Sequence, residues 1–291
     1  MIQTVFLAAL VATPATLPAQ LRAARAGDTI TLREGRYGTV LVVRRQFGRR
    51  VRVDARSAVF TGITMRNVTG MEWLGGTIIG PRLQSFGVSI VDSRDILVSG
   101  MRITGPAVGV AMARSTDIDI VGNSFDGVRS DGVNIAMSQR VRITGNACIN
   151  FKPIRAIYSS DGRLLVDGDH SDCIQGWSRR GFRPTSDITI TDNAAEGEMQ
   201  GISFFDPGQG GYDRITVRNN DLNLRYWNGI VIWEGRNSLV TGNRVRTIPG
   251  ARALNWPFQL IGTWIYTTGR SNRVCGNVVE SYPDGEGTAR C

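Results

Sequence analysis

Two short patterns recur along this chain at a nearly constant interval. The first is a glycine followed by alternating apolar residues, at 87–90, 109–112, 132–135, 201–204 and 229–232, with a cysteine replacing the glycine at 173–176. The second ends in asparagine, at Asn123, Asn146, Asn193, Asn220, Asn243 and Asn277. The glycine positions are 22, 23, 41, 28 and 28 residues apart. Short strands at such a period indicate stacked coils.

Within each coil, apolar residues alternate as they do in a strand with one face turned inward, for example Val133 and Ile135. Asparagine suits a turn that needs left-handed dihedrals, and its amide can hydrogen-bond to the same position in the next coil. Neighbouring coils would lie about 4.8 Å apart. The repeat therefore predicts an all-β protein, a parallel β-helix with one continuous core.

The N-terminal segment is expected to hold a signal peptide and then a helix. Residues 5–13 are apolar but too few to span a bilayer, so we assign residues 1–15 to a signal peptide and residues 16–291 to a single domain. From Leu17, a proline near the first helical position and Gly27 after the last one favour a helix. Its apolar face, Leu17, Leu21 and Ala24, would cover the first coil.

This helix, followed by Gly-Asp-Thr-Ile at 27–30, Gly-x-Tyr at 35–37 and coils such as Ile-Thr-Gly-Asn at 143–146, resembles the right-handed parallel β-helix superfamily of pectate-lyase-like proteins. The resemblance implies a secreted or periplasmic protein that acts on polysaccharides as a lyase, hydrolase, epimerase or depolymerase. It does not specify the reaction, because one fold carries several chemistries.

The net charge of +9 comes almost entirely from arginine, since Lys152 is the single lysine. A positive field attracts anionic partners, and an acidic polysaccharide or oligosaccharide is the expected one. Nothing beyond net charge suggests nucleic acid, and no segment has the length of a membrane span. We expect a monomer.

Polar residues concentrate in the middle coils. The residues before the glycine position are Phe86, Val108, Asp131, Asp172, Gln200 and Asn228, and the outward residues two places after it are Ser89, Ala111, Asn134, Gln175, Ser203 and Val231. A polar stripe on one face of a solenoid is a candidate groove. The residues expected to bind substrate there are Asp131, Asn134, Gln175, Trp177, Arg180, Gln200, Asp206, Trp233 and Glu234.

Asp131 and Asp172 occupy equivalent positions in adjacent coils. Their carboxyls could approach to roughly the 5 Å of a retaining glycosidase, which would raise one pKa and keep a proton at neutral pH. Asp206 and Glu234 extend the acidic flank. The alternative is that the two aspartates only cap turns.

The 41-residue interval implies an insertion of about 18 residues before Cys173. It carries Lys152 and Arg155 and leads to His170, the single histidine, while a second excursion at 178–184 carries Arg179. Because β-helix lyases use Lys or Arg, often with Ca²⁺, the resemblance implies Lys152 or His170 as base, Arg155 and Arg179 as cations, and Ca²⁺ as an optional cofactor. Alternatively, His170 is a loop residue and Lys152 a solvated charge.

Three functions stay open from the sequence. The first is a lyase that cleaves a uronic-acid polymer by β-elimination, with Lys152, Arg155, His170, Asp172 and Arg179 as candidate catalytic residues. The second is a glycoside hydrolase that uses the carboxylates. The third is a non-catalytic carbohydrate-binding protein. Among the four cysteines, Cys173 suits a buried thiol or a bridge to Cys148, and Cys275 with Cys291 would close a short terminal loop.

Overall fold

The chain forms a stack of parallel coils. A computed structural model describes residues 9–83, 85–205, 210–252 and 260–280. The N-terminal elements are β1 Ala9–Ala12, α1 Leu17–Ala23, β2 Thr29–Leu32, β3 Gly35–Asp54, β4 Ala58–Leu74, β5 Thr77–Ile79, β6 Phe86–Val91, β7 Arg94–Ser99, β8 Arg102–Thr104 and β9 Val108–Ala113.

The central elements are β10 Thr116–Val121, β11 Ser124–Asp126, β12 Asp131–Ala136, β13 Gln139–Thr144, β14 Ala147–Ile149, β15 Ile157–Tyr158, β16 Leu164–Val166, β17 Asp172–Trp177, β18 Thr185–Thr191, β19 Ala194–Gly197 and β20 Gln200–Phe204. The last are β21 Tyr212–Arg218, β22 Asp221–Leu224, β23 Asn228–Arg236, β24 Leu239–Thr241, β25 Arg244–Thr247, β26 Trp264–Arg270, β27 Arg273–Cys275 and β28 Val278–Glu280.

From β4 onward the strands stack in three faces, and each strand of a face pairs in parallel with its counterpart one coil away; only β15 and β16, among the described strands, form a separate antiparallel pair. The first face runs β6, β9, β12, β17, β20, β23 and β26. The second runs β7, β10, β13, β18, β21, β24 and β27, and the third β5, β8, β11, β14, β19, β22, β25 and β28. The predicted right-handed parallel β-helix is confirmed.

Glycine recurs on the first face because neighbouring coils approach it too closely for a side chain. A Cβ on Gly109 would lie 2.6 Å from the carbonyl oxygen of Gly132, and one on Gly132 would lie 2.5 Å from that of Cys173. Real Cβ atoms do not come so near a backbone oxygen, so these positions stay free of side chains.

The predicted asparagine column is a buried hydrogen-bonded ladder. Asn193 Oδ1 accepts from the backbone N–H and from Nδ2 of Asn146, both at 2.9 Å, and Asn193 donates in the same way to Asn220 Oδ1 at 3.0 Å. The pattern continues through Asn243 to Asn277. From Asn123 to Asn277, each coil is thereby hydrogen-bonded to the next at its turn.

The N-terminal helix is present and covers the first coil with Leu17, Leu21 and Ala24, all buried. It ends at Ala23, short of Gly27, because Ala24 already adopts an extended backbone with ψ of 141°. Strand β1 pairs with β2, so the described end of the predicted signal peptide lies within the first coil. Cleavage after residue 15 would remove β1, and it stays a prediction.

Aspartates of the second face bind arginines of adjacent coils. Arg140 donates to Asp117 at 2.6 Å and Arg214 to Asp187 at 2.5 Å, and these hydrogen bonds lower the pKa of both aspartates. Part of the arginine surplus therefore joins coils to one another instead of facing a ligand.

Candidate functional site

A cavity of about 1200 Å³ opens on the first face. Its floor is formed by β12, β17 and β20. One wall comes from the insertion between β14 and β17, and the opposite wall from the segments before β23 and β26. The lining residues are Ser130, Asp131, Asn134, Tyr158, Leu164, Asp167, Gly168, Asp169, His170, Asp172, Gln175, Trp177, Gln200, Ser203, Phe205, Tyr226, Trp227, Asn228, Leu260, Ile261, Gly262 and Trp264.

Asp131 and Asp172 lie side by side at the floor of this cavity. The backbone N–H of Asp172 donates to Asp131 Oδ1 at 3.1 Å, and the Asp131 carboxylate also accepts from Ser130 Oγ at 3.3 Å and Asn134 Nδ2 at 3.4 Å. Asp172 Oδ2 accepts from Gln175 Nε2 at 3.0 Å, whereas its Oδ1 is buried with no hydrogen-bond partner. The residues are 6% and 1% exposed.

Burial makes both acids weaker. It raises the pKa of Asp131 from 3.8 to about 6, against the hydrogen bonds that favour the charged form. It raises the pKa of Asp172 well above its usual value, and the neighbouring charge of Asp131 raises it further. Ser203 opposes that rise, although its hydroxyl makes no hydrogen bond of normal geometry. The pair therefore retains a proton near neutral pH.

An amide network holds the acid pair. Gln175 Oε1 accepts from Asn134 Nδ2 at 3.2 Å and from the indole Nε1 of Trp177 at 2.8 Å, while its Nε2 donates to Asp172. In the next coils, Asn228 donates to Gln200, which pairs in register with Asp172. The contacts from Asn134 and Gln175 fix the orientation of the two carboxyls.

The insertion is tied to the floor at both ends. Cys148 and Cys173 form a disulfide with Cα atoms 5.7 Å apart, which confirms the bridge weighed from the sequence. Asp169 Oδ2 lies 3.1 Å from Arg129 Nε and accepts from the Ile154 N–H at 2.7 Å. The pairing of Cys275 with Cys291 involves Cys291, which lies outside the described residues.

At the mouth of the cavity, His170 Nε2 lies 3.2 Å from Asp167 Oδ1, and both side chains are exposed. Across the described ranges of the chain, this histidine is the only group in the lining that can carry a positive charge, against four aspartates. The electrostatic environment of the cavity is therefore acidic, although the chain as a whole is basic.

The cavity brings together part of the predicted site. Its lining includes Asp131, Asn134, His170, Asp172, Gln175, Trp177 and Gln200. The lining does not include Lys152, Arg155, Arg179, Arg180, Trp233 or Glu234. Asp206 lies outside the described residues.

The predicted cations do not line the cavity. Lys152 is exposed. Its backbone N–H donates to the Val128 carbonyl at 2.9 Å, and its carbonyl accepts from Arg82 Nη2 at 2.7 Å. Arg155 is exposed, and the Arg179 guanidinium lies 5.7 Å from the ring centroid of Phe182. Arg180 and Glu234 line a separate pocket of about 460 Å³.

Tyr226, Trp227 and Trp264 form a wall that the repeat does not reveal. The ring centroids of the two tryptophans are 6.4 Å apart, and Trp227 packs beside Tyr226 at 6.0 Å. Trp264 pairs with Asn228 and so occupies the position that Asp131 and Asp172 hold in their own coils. Its coil lacks the glycine that marks the repeat. A second long interval, between β25 and β26, was the available signal.

Among the residues described, no group of three or more His, Cys, Asp or Glu side chains is arranged to hold a metal ion. Calcium dependence stays a prediction. The described helix is too short to cross a membrane.

Fold and cavity together define a parallel β-helix protein with a buried pair of acids in a surface cleft. No family profile matches the chain. It is 24% identical over 214 residues to alpha-1,3-galactosidase A of Peterkaempfera griseoplana, covering 70% of this chain and 27% of that protein. The chain thus spans about a quarter of the length of this relative.

Two solved structures are similar in fold. The Dettilon tailspike protein matches with a TM-score of 0.52 and 14% identity, over 92% of this chain and 61% of its own. An alginate lyase from a Paenibacillus species matches with a TM-score of 0.46 and 14% identity, over 94% and 95%. At 14% identity the likeness to the tailspike protein shows the fold alone.

Proposed function

We propose that the protein is a glycoside hydrolase acting on a neutral polysaccharide, with Asp172 as general acid and Asp131 as the partner carboxylate. The observation that carries the proposal is the adjacent, buried acid pair at the floor of the cavity. Glycoside hydrolysis requires one carboxyl that keeps its proton near neutral pH and a second, neighbouring carboxyl that is ionised.

In the proposed reaction, Asp172 gives its proton to the glycosidic oxygen as the bond from that oxygen to the anomeric carbon breaks. The anomeric carbon gains an oxygen from the Asp131 carboxylate or from a water molecule whose proton passes to Asp131. Asp172 Oδ1 is buried without a hydrogen-bond partner, which favours the protonated form that a general acid needs.

A neutral substrate is favoured by the charge of the cavity. Aspartates outnumber cations in the lining even though Asp169 is paired with Arg129 and the acid pair keeps a proton, so a uronate carboxylate is disfavoured there. None of the arginines predicted to bind one is part of the lining. The name of the 24% identical relative, alpha-1,3-galactosidase A, is consistent with hydrolysis.

Beta-elimination is the second candidate because His170 stands at the mouth of the cavity with Asp167 beside it. There it could remove a C5 proton while a uronate carboxylate lies outside the acidic floor. The predicted acidic substrate and an optional Ca²⁺ belong to this alternative.

One panel separates the candidates. Purified protein is incubated with neutral glucans and galactans and with alginate, pectate and glucuronan, and both reducing ends and absorbance near 235 nm are followed. We expect reducing ends without unsaturation, lost in Asp172→Asn and kept in the matched control Lys152→Ala. Unsaturated products would establish the lyase, and binding without cleavage would leave a carbohydrate-binding protein.

We also propose export to an oxidising compartment, because the Cys148–Cys173 disulfide is typical of such proteins. The test is to compare the mass and N-terminus of protein from the culture medium, the periplasm and the cytoplasm. Recovery with residues 1–15 still attached would contradict the predicted signal peptide.

A further inference from the structure

A column of aromatic side chains begins inside the cavity and continues beyond it. Gly176, Phe204 and Ile232 pair in register on three successive coils. Each is followed by an aromatic residue, which is Trp177, Phe205 and Trp233 respectively. Three successive coils therefore present a ring at the same outward position. Trp177 and Phe205 line the cavity, whereas Trp233 lies past its edge.

Phe205, Trp233 and Tyr266 are in ring contact, and the rings of the row are accessible. The centroids of Phe205 and Trp233 are 5.0 Å apart at 87°, and those of Trp233 and Tyr266 are 6.5 Å apart at 84°. Trp177 and Phe205 are 41% and 42% exposed, and Tyr266 is 49% exposed. Aromatic side chains exposed in a continuous row exceed what core packing requires.

The row has a direction. On the N-terminal side of Trp177 the same column holds Ala136 and then Ala113, so the rings stop at the coil of the acid pair. On that side lies the exposed ring of Phe86. It occupies the position equivalent to Asp131 two coils earlier, because Phe86 pairs with Val108 and Val108 pairs with Asp131.

Resting on the proposed hydrolase function, we propose that the polysaccharide chain leaves the cavity toward the C-terminal coils and is held there by Trp233 and Tyr266. The apolar faces of neutral sugars stack on such rings, and the row supplies no charge that would require an ionic substituent. Its continuity with the cavity through Phe205 places the occupant in line with the acid pair.

Binding is tested apart from catalysis. The inactive Asp172→Asn protein is run toward the cathode in native gels that contain each polysaccharide of the panel, since its charge is strongly positive. It is compared with Asp172→Asn carrying in addition Trp233→Ala, Tyr266→Ala, Trp233→Tyr or the matched control Phe86→Ala. Thermal unfolding of every variant checks that it folds.

We expect the alanine changes at Trp233 and Tyr266 each to weaken retardation about tenfold, as a stacking contact near the upper end of its usual strength would. Trp233→Tyr should restore binding, and Phe86→Ala should leave it unchanged. The proposal would be overturned if retardation were undiminished in the alanine variants of Trp233 and Tyr266, if it were lost in Phe86→Ala, or if no polysaccharide retarded the protein. Failure of the hydrolase function would appear separately, as the absence of new reducing ends with the wild-type protein.

Discussion

The buried acid pair should cost the protein stability at neutral pH, and Asp131→Asn measures how much. Burial raises the pKa of Asp131 from 3.8 to about 6, so the folded state binds a proton more tightly than the unfolded chain. Stability is therefore unaffected below pH 3.8 and is lost as the pH rises through 6. Each pKa unit corresponds to about 1.4 kcal/mol, which gives a loss of about 3 kcal/mol at neutral pH.

The assay is urea unfolding of the wild type and Asp131→Asn at pH 3.5 and pH 7.5. Asparagine also disturbs the hydrogen bonds from Ser130, Asn134 and the Asp172 N–H, but their preference for the charged carboxylate is already contained in the pKa of about 6. We therefore expect the variant to gain about 3 kcal/mol on the wild type between the two pH values. The exposed Asp221, altered to asparagine, serves as the control.

A difference between variant and wild type that is the same at both pH values would refute the reasoning. It would mean that Asp131 does not hold a proton in the folded state, and the assignment of acid and carboxylate would lose its physical basis. Aspartates bound by arginine, such as Asp117, have lowered pKa values, so their stabilisation is present above pH 3.8 and is lost as the pH falls below it. It is common to the wild type and Asp131→Asn and cancels in the comparison.

Three further outcomes follow. Asn193→Ala removes the acceptor of the buried Asn146 N–H and one acceptor of its Nδ2, and should cost about 3 kcal/mol in urea unfolding, against little for the half-exposed Asn223→Ala; equal losses would argue against the ladder. Replacing Cys148 and Cys173 by serine should cost about 3 kcal/mol, and a Tm unchanged from the wild type would contradict this. Chelation by EDTA should leave hydrolysis intact, whereas a loss restored by Ca²⁺ would favour the lyase.

The repeat predicted the fold because each coil bears its own signals. The asparagine column and the spacing from Gly87 to Gly229 reflect local constraints, a buried amide at a turn and a backbone too close for a side chain. Such constraints act on each coil separately, and a single sequence therefore displays them many times.

The site was only partly predictable for the opposite reason. Asp131 and Asp172 share a column and could be aligned, but the column does not fix burial, since Phe86 at the equivalent position is exposed. Tyr226, Trp227 and Trp264 belong to such a segment, and no period points to them. The prediction for Lys152 and Arg155 rests on the rarity of lysine and on charge, and neither determines whether a loop side chain lines the cavity.

The asparagine ladder passes the insertion without a break. Asn146 and Asn193 are 47 residues apart in the chain, yet they form the same two hydrogen bonds as asparagines separated by shorter segments. The length of the segment inserted between two coils therefore does not change how the coils pair. Doubling such a loop adds only about 0.6 kcal/mol of closure entropy. The wall of the cavity can accordingly lengthen, shorten or change its sequence while the acid pair stays in place, and descendants of this scaffold are free to acquire new substrates by altering that one loop.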